Sequence, residues 1–121
     1  MRRLSEAELA VLAVLWEGEG FTLGQVVEQL KPITGWSRNT VHTYLTRMEG
    51  KGLVVIDRGG DPHHYRAGAS REACARNERR NLLEKVYGGA TGDLVAAFLK
   101  ESKITEEERD ALKTLLDEME V

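Results

Sequence analysis

The stretch Trp36-Ser37-Arg38-Asn39-Thr40-Val41-His42-Thr43-Tyr44-Leu45-Thr46-Arg47-Met48 decides how this chain folds. Ser37 is the expected N-cap of a helix, with Trp36 before it and Val41 at the fourth helical position, the spacing of a hydrophobic staple. At about 100° per residue, Val41, Tyr44, Leu45 and Met48 share one face. Asn39, Thr43 and Thr46 point the other way, flanked by His42 and Arg47. One side of this helix suits burial and the other carries hydrogen-bonding groups. Gly50-Lys51-Gly52 ends it.

Two helices are expected ahead of it. Ser5 and Glu8 have capping-box spacing and open a helix over residues 5–16, with Leu9, Leu12, Leu15 and Trp16 on its core face. Thr22 and Gln25 repeat that spacing and open a second helix, whose apolar side is Val26, Val27 and Leu30. Lys31-Pro32 is expected to break it, because proline lacks an N–H and restricts the residue before it. Behind the third helix, Leu53-Val54-Val55-Ile56 reads as a short strand, residues 57–62 as a loop, and His63-His64-Tyr65-Arg66-Ala67 as the return strand. The composition shifts at Gly68. A charged helix is expected over residues 70–86, with arginine at 71, 76, 79 and 80, and Tyr87-Gly88-Gly89 breaks it. A short amphipathic helix follows over residues 92–100, then a last one capped by Thr105 with Glu108.

The predicted fold is therefore mainly α: a winged helix-turn-helix, three helices plus a β-hairpin wing, over residues 1–68, and a helical dimerisation tail over residues 69–121. In such a motif the third helix lies in the DNA major groove. Asn39 can pair with adenine, while Arg38 and Arg47 can pair with guanine or clamp phosphates. Ser37, Thr40 and Thr43 can reach phosphates or thymine methyls, with His42 beside them. Arg58 and His63 on the hairpin would follow the neighbouring backbone. A Ser/Thr/Asn-rich helix face taken alone reads as solvated surface. The order of elements and the basic residues at both ends of the face turn the reading toward double-stranded DNA.

In the tail, Val86, Leu94, Val95, Phe98, Leu99, Leu112, Leu115, Leu116 and Met119 are the apolar positions. The last two helices are too short to bury their stripes alone. They pack either on the first domain or on a second chain, and a homodimer suits a helix-turn-helix protein reading two half-sites.

Composition narrows the function. The chain has 121 residues, a net charge of −3 and one cysteine, Cys74, so neither an internal disulfide nor a multi-cysteine metal site is open to it. The acidity sits in the tail: residues 86–121 carry four Lys/Arg and nine Asp/Glu, whereas residues 1–66 carry eight of each. Overall charge therefore says little about a locally basic face. His42, His63 and His64 have no second ligand cluster at zinc spacing, so no metal or cofactor is expected. Cys74 reads as a half-buried structural thiol, with a redox-reactive one as the rival. No run of about 18 apolar residues is present for a membrane helix. Met1-Arg2-Arg3-Leu4 leads into a patterned helix and not into a signal core, so the expected location is the cytoplasm. No nucleophile–base pair, carboxylate dyad or phosphate-cradling loop stands at useful spacing, so an enzyme is not expected.

The residues 36–48 quoted above, followed by Lys51-Gly52-Leu53, resemble the penicillinase and methicillin-resistance repressor family, of BlaI/MecI type with a copper-responsive CopY branch. Leu4-Ser5-Glu6-Ala7-Glu8 and Trp16 are similar to that family's start. Tyr87-Gly88-Gly89, Leu94-Val95, Phe98-Leu99, Ile104-Thr105 and Leu112 are similar to its tail. The resemblance implies a winged-helix homodimer on a pseudo-palindromic operator, often built around TACA/TGTA elements, with interlocking tail helices. It also implies, for the β-lactam branch, a sensor or protease acting on the tail by cleavage between asparagine and phenylalanine. Phe98 matches that phenylalanine, but Ala97 precedes it, which counts against cleavage there. The copper branch carries paired cysteines near its C-terminus, and this tail has none. Two rival readings stay beside the repressor: a winged-helix protein–protein adaptor, and a sensor binding a small molecule between its domains.

Overall fold

The computed structural model describes residues 3–121; Met1 and Arg2, the first residues of the start read above, lie outside them. The element order is α1 (Glu6–Leu15), α2 (Leu23–Thr34), α3 (Arg38–Gly50), β1 (Val54–Asp57), β2 (His64–Ala67), α4 (Arg71–Lys85), α5 (Thr91–Glu101) and α6 (Glu106–Glu118). Two compact units divide the chain, with the boundary between Arg79 and Arg80 falling inside α4.

The first unit is a winged helix. α1, α2 and α3 pack on one another, α3 also meets β1, and α1 also meets β2. Its core is dry and aliphatic: Val11, Leu12, Leu15, Val26, Leu30, Val41, Leu45 and Met48 are all essentially inaccessible. Each such Leu or Val contributes about 1.5–3 kcal/mol by leaving water. On α1 the buried face is centred on Val11, Leu12, Val14 and Leu15, while Leu9 and Trp16 sit at its edge. The expected stripe was thus rotated toward the two valines.

α2 does not break at Pro32, as expected from the sequence; it runs on to Thr34 with Pro32 inside it. Pro32 is exposed in the last turn, so the carbonyl it leaves unpaired faces water. The stop comes from Gly35, left-handed at φ 66°, whose N–H donates to Lys31 O at 2.9 Å. The Thr34 hydroxyl also donates to Leu30 O at 3.0 Å.

The wing is a two-stranded antiparallel hairpin, with Val54 opposite Ala67 and Asp57 opposite His64. β1 runs from Val54 to Asp57; Leu53 lies buried just before it, and His63 lies ahead of β2. A one-residue bridge joins Phe21 to buried Tyr65, through Phe21 N to Tyr65 O at 2.9 Å and Tyr65 N to Phe21 O at 2.7 Å. It ties the α1–α2 connection to the wing. Gly68 closes the hairpin against the α3–β1 turn: its N–H donates to Leu53 O at 2.8 Å, and a Cβ there would stand 2.5 Å from Gly52 O. Only glycine fits that crossing.

Cys74, read as half-buried, is fully buried in this core. Burial pushes its thiol up, with Glu78 adding to the effect, which is the opposite of a reactive thiolate. The start of α4 is fastened to α1: Trp16 Nε1 donates to Ala69 O at 2.8 Å, and the Arg71 guanidinium lies 5.3 Å from the Trp16 ring centroid.

In the second unit, the end of α4 gives way at Gly88 and Gly89, both with positive φ, to α5 and α6. Thr105 and Glu108 form the expected capping box on α6. No residue from Arg80 to Val121 is buried.

Glu8 is the one buried charged residue of the described core. Its carboxylate accepts from Ser5 N at 2.9 Å, completing the α1 capping box, and from Lys51 Nζ at 2.9 Å, at the far end of α3. The Ser5 amide holds the carboxyl below its ordinary value; burial opposes this, and Lys51 adds to the lowering. A lowered acid contributes stability above its unfolded value, and loses it as pH falls through the folded one. Glu8→Ala should therefore cost about 1–2 kcal/mol in denaturant unfolding at neutral pH. That difference should shrink as pH falls below the ordinary value of 4.5.

Candidate nucleic-acid interface

Burial of Val41, Leu45 and Met48 fixes the rotation of α3 about its own axis. Arg38, Asn39, His42, Thr43, Thr46 and Arg47 are consequently exposed, with Thr40 half-buried among them. The helix starts where the sequence places it. Ser37 Oγ accepts from Thr40 N at 3.2 Å and lies 3.1 Å from Thr40 Oγ1. Trp36 stacks on Tyr44, with ring centroids 4.5 Å apart and planes 13° from parallel, so the N-terminal turn is braced by an aromatic pair one turn further along than the expected staple partner Val41.

Two shallow clefts run along this face. One, of about 390 Å³, is formed by Asn39, Thr40, Thr43, Tyr44 and Arg47. The other, of about 430 Å³, lies where α3 meets the start of α2 and the wing loop, and brings Arg38, His42 and His63 together beside Thr22, Gly24 and Asp61. The structure thus gathers Arg38, His42 and the wing's His63 into one cleft and Asn39, Thr40, Thr43 and Arg47 into the other.

Not all of the predicted groups are free. The hydroxyls of Ser37 and Thr40 are engaged in the cap, and Thr43 Oγ1 donates to Asn39 O at 2.9 Å. The Ser37–Thr40 pair keeps one hydroxyl proton to donate, and Thr40 and Thr43 offer their methyl groups. Arg58 lines neither cleft. Its Nη1 and Nη2 donate to Glu49 Oε2 and Oε1 at 2.6 and 2.9 Å, and the fork holds the Glu49 carboxyl below its ordinary range. Sequence reasoning missed Glu49, because nothing in a local pattern says which residue nine positions on will meet it. It missed Phe21 for a related reason: one residue bridging two elements has no periodicity.

The tail positions lie open. Val86, Val95, Phe98, Leu99, Leu115, Leu116 and Met119 are 40–71% exposed, and Leu94 and Leu112 are half-buried. Ile104, outside the predicted set, is exposed as well. Among the described residues, no group of three His, Cys, Asp or Glu side chains could hold a metal ion, and no helix is long and apolar enough to cross a membrane.

Comparison with known proteins places this geometry. The penicillinase repressor family model matches residues 4–118. The Penicillinase repressor of Bacillus licheniformis is 26% identical over 116 residues, covering 96% of this chain and 91% of the relative. The Methicillin resistance regulatory protein MecI of Staphylococcus aureus strain N315 is 23% identical over 114 residues, covering 94% and 93%. The solution structure of Bacillus licheniformis BlaI, in its monomeric form in complex with the blaP half-operator, is similar at a TM-score of 0.52 and 27% identity, covering 59% of this chain and 87% of that one.

Ser37→Ala should remove the α3 cap and cost about 1 kcal/mol of unfolding free energy, read by chemical denaturation. An unchanged midpoint would show that the Trp36–Tyr44 stack starts the helix without it.

Proposed function

The chain belongs to the penicillinase repressor family, and from that premise we propose that it is a transcriptional repressor that binds a pseudo-palindromic DNA operator as a homodimer and occludes a promoter. The observation that carries this reading is the exposed polar face of α3, which is held in one orientation by its buried face. Asn39 and Arg47 read base edges; Arg38 and the Ser37–Thr40 hydroxyl pair hold phosphates; Thr40 and Thr43 present methyl groups to thymine methyls; His42 and the wing's His63 flank them. The relative with a known complex is bound to a half-operator, and half-site recognition by this chain accords with that.

Pairing rests on the tail. A unit with no buried residue and seven predicted apolar positions open to solvent needs a covering surface. A second copy supplies the same stripe in a self-complementary, twofold arrangement. We assign residues 1–68 to DNA reading and residues 69–121 to pairing, with Ala69 and Cys74 of the second span rooted in the first unit. No cofactor enters this scheme, and a cytoplasmic location goes with it. A sensor or protease acting on the tail would lift repression, although Ala97 ahead of Phe98 counts against cleavage at that bond.

In a gel shift with operator DNA, Asn39→Ala and Arg47→Ala should each cost about 1–3 kcal/mol of specific binding. Wild-type affinity should fall steeply as salt rises. Unchanged affinity in both variants would move base reading off this face, and salt-insensitive association would favour a protein–protein adaptor. Separately, Phe98→Asp with Leu115→Asp should shift the protein to monomer in sedimentation; a persistent dimer would place pairing elsewhere.

A further inference from the structure

Arg58 has the chemistry of a phosphate contact and the geometry of something else. Both of its terminal nitrogens are committed to the two oxygens of Glu49, at 2.6 and 2.9 Å. Glu49 sits in the last turn of α3, and Arg58 immediately follows β1. A carboxylate near a helix C-terminus is unfavourably placed against the helix dipole. A guanidinium fork there both neutralises it and fixes a direction, since two parallel hydrogen bonds leave no free rotation.

The wing needs such a fixture. Its ladder has only four residue pairs, from Val54–Ala67 to Asp57–His64, and a lone hairpin is marginal in water. β2 is gripped by the Phe21–Tyr65 bridge. Among the described residues β1 has no equivalent bridge at its outer end; there the fork from Arg58 to Glu49 adds a polar tie to the packing of β1 on α3. Next to Arg58 the loop is tightened by Gly59 N donating to Asp57 Oδ1 at 2.8 Å.

We propose that Glu49 is a positioning residue that sets the angle of the wing against α3 through Arg58, and that Arg58 is the strut of the wing and not one of its phosphate contacts. This rests on the repressor reading and deepens it. The pair is exposed, so it adds little to global stability; its effect is local, on where the loop carrying His63 meets DNA. Lysine cannot reproduce a fork, so Arg58→Lys should behave as a loss.

The test compares Glu49→Gln, Arg58→Gln, Arg58→Lys and the double glutamine variant, in full-length protein, on operator DNA. Each should weaken binding by a similar factor, on the order of 3–10-fold, and the double variant should be no worse than either single one. The slope of log affinity against log salt should stay that of the wild type, and lost footprint protection should be confined to the flank of each half-site where the wing lies. A slope for Arg58→Gln lower by about 0.9 would make it a phosphate contact. Tighter binding by Glu49→Gln would make Glu49 a competitor with DNA for Arg58. Either result overturns the proposal. Amide exchange in DNA-free protein gives an independent arm. Exchange at Val55–Asp57 should speed up in each variant while Val41 and Leu45 stay protected, and unchanged exchange at the wing would also overturn the strut. If the wild type bound no operator, the repressor reading would fail, and this exchange arm would still decide the strut.

Discussion

The surface of the first unit depends on the burial of Val41, Leu45 and Met48 between the other helices and the wing. Removing three large side chains from water outweighs any preference of the polar residues between them, at about 1.5–3 kcal/mol each. With α3 locked at that rotation, Asn39, His42, Thr43 and Arg47 have nowhere to face but outward. The same burial brings the end of α3 to Lys51, where Glu8 reaches across from α1, and to Glu49, which receives Arg58 from the wing. One packed face thus fixes the rotation of the helix, and the polar contacts at its far end tie it to α1 and to the hairpin.

What could be read directly was everything local. The N-caps Ser5, Thr22, Ser37 and Thr105 are each visible as a hydroxyl ahead of a periodic segment, and all four accept the expected backbone N–H. The α3 face was legible because its apolar residues recur at helical spacing. The hairpin was legible because a β-branched run leads into a loop rich in Gly and Asp. Failures came where a local rule met a non-local or solvent effect. Pro32 is disruptive in a helix interior, but one exposed turn from a glycine stop it costs a single bond facing water. Cys74 lies on a helix of very polar composition, so its complete burial depends on which turn meets the core, and composition does not report that. The Glu8–Lys51 and Glu49–Arg58 pairs join residues whose meeting is decided only once α1, α3 and the wing are assembled.

The tail presents the opposite physical situation. α6 has a well-made start and both α5 and α6 have clear apolar stripes, yet nothing in that unit is buried. Local order without a core makes its stability depend on a surface from elsewhere, and the proposed second copy would couple assembly to recognition. In that arrangement two α3 faces would read two half-sites, and losing the pairing would weaken DNA binding without altering a single base contact.

The measurement closest to the central claim is to select bound fragments from genomic DNA with the purified protein and footprint the best one by hydroxyl radical. The account predicts two protected patches related by a twofold axis, with centres separated by whole helical turns, each covering one major-groove face. A single unpaired patch, or no selected fragment from a folded dimeric protein, would contradict it.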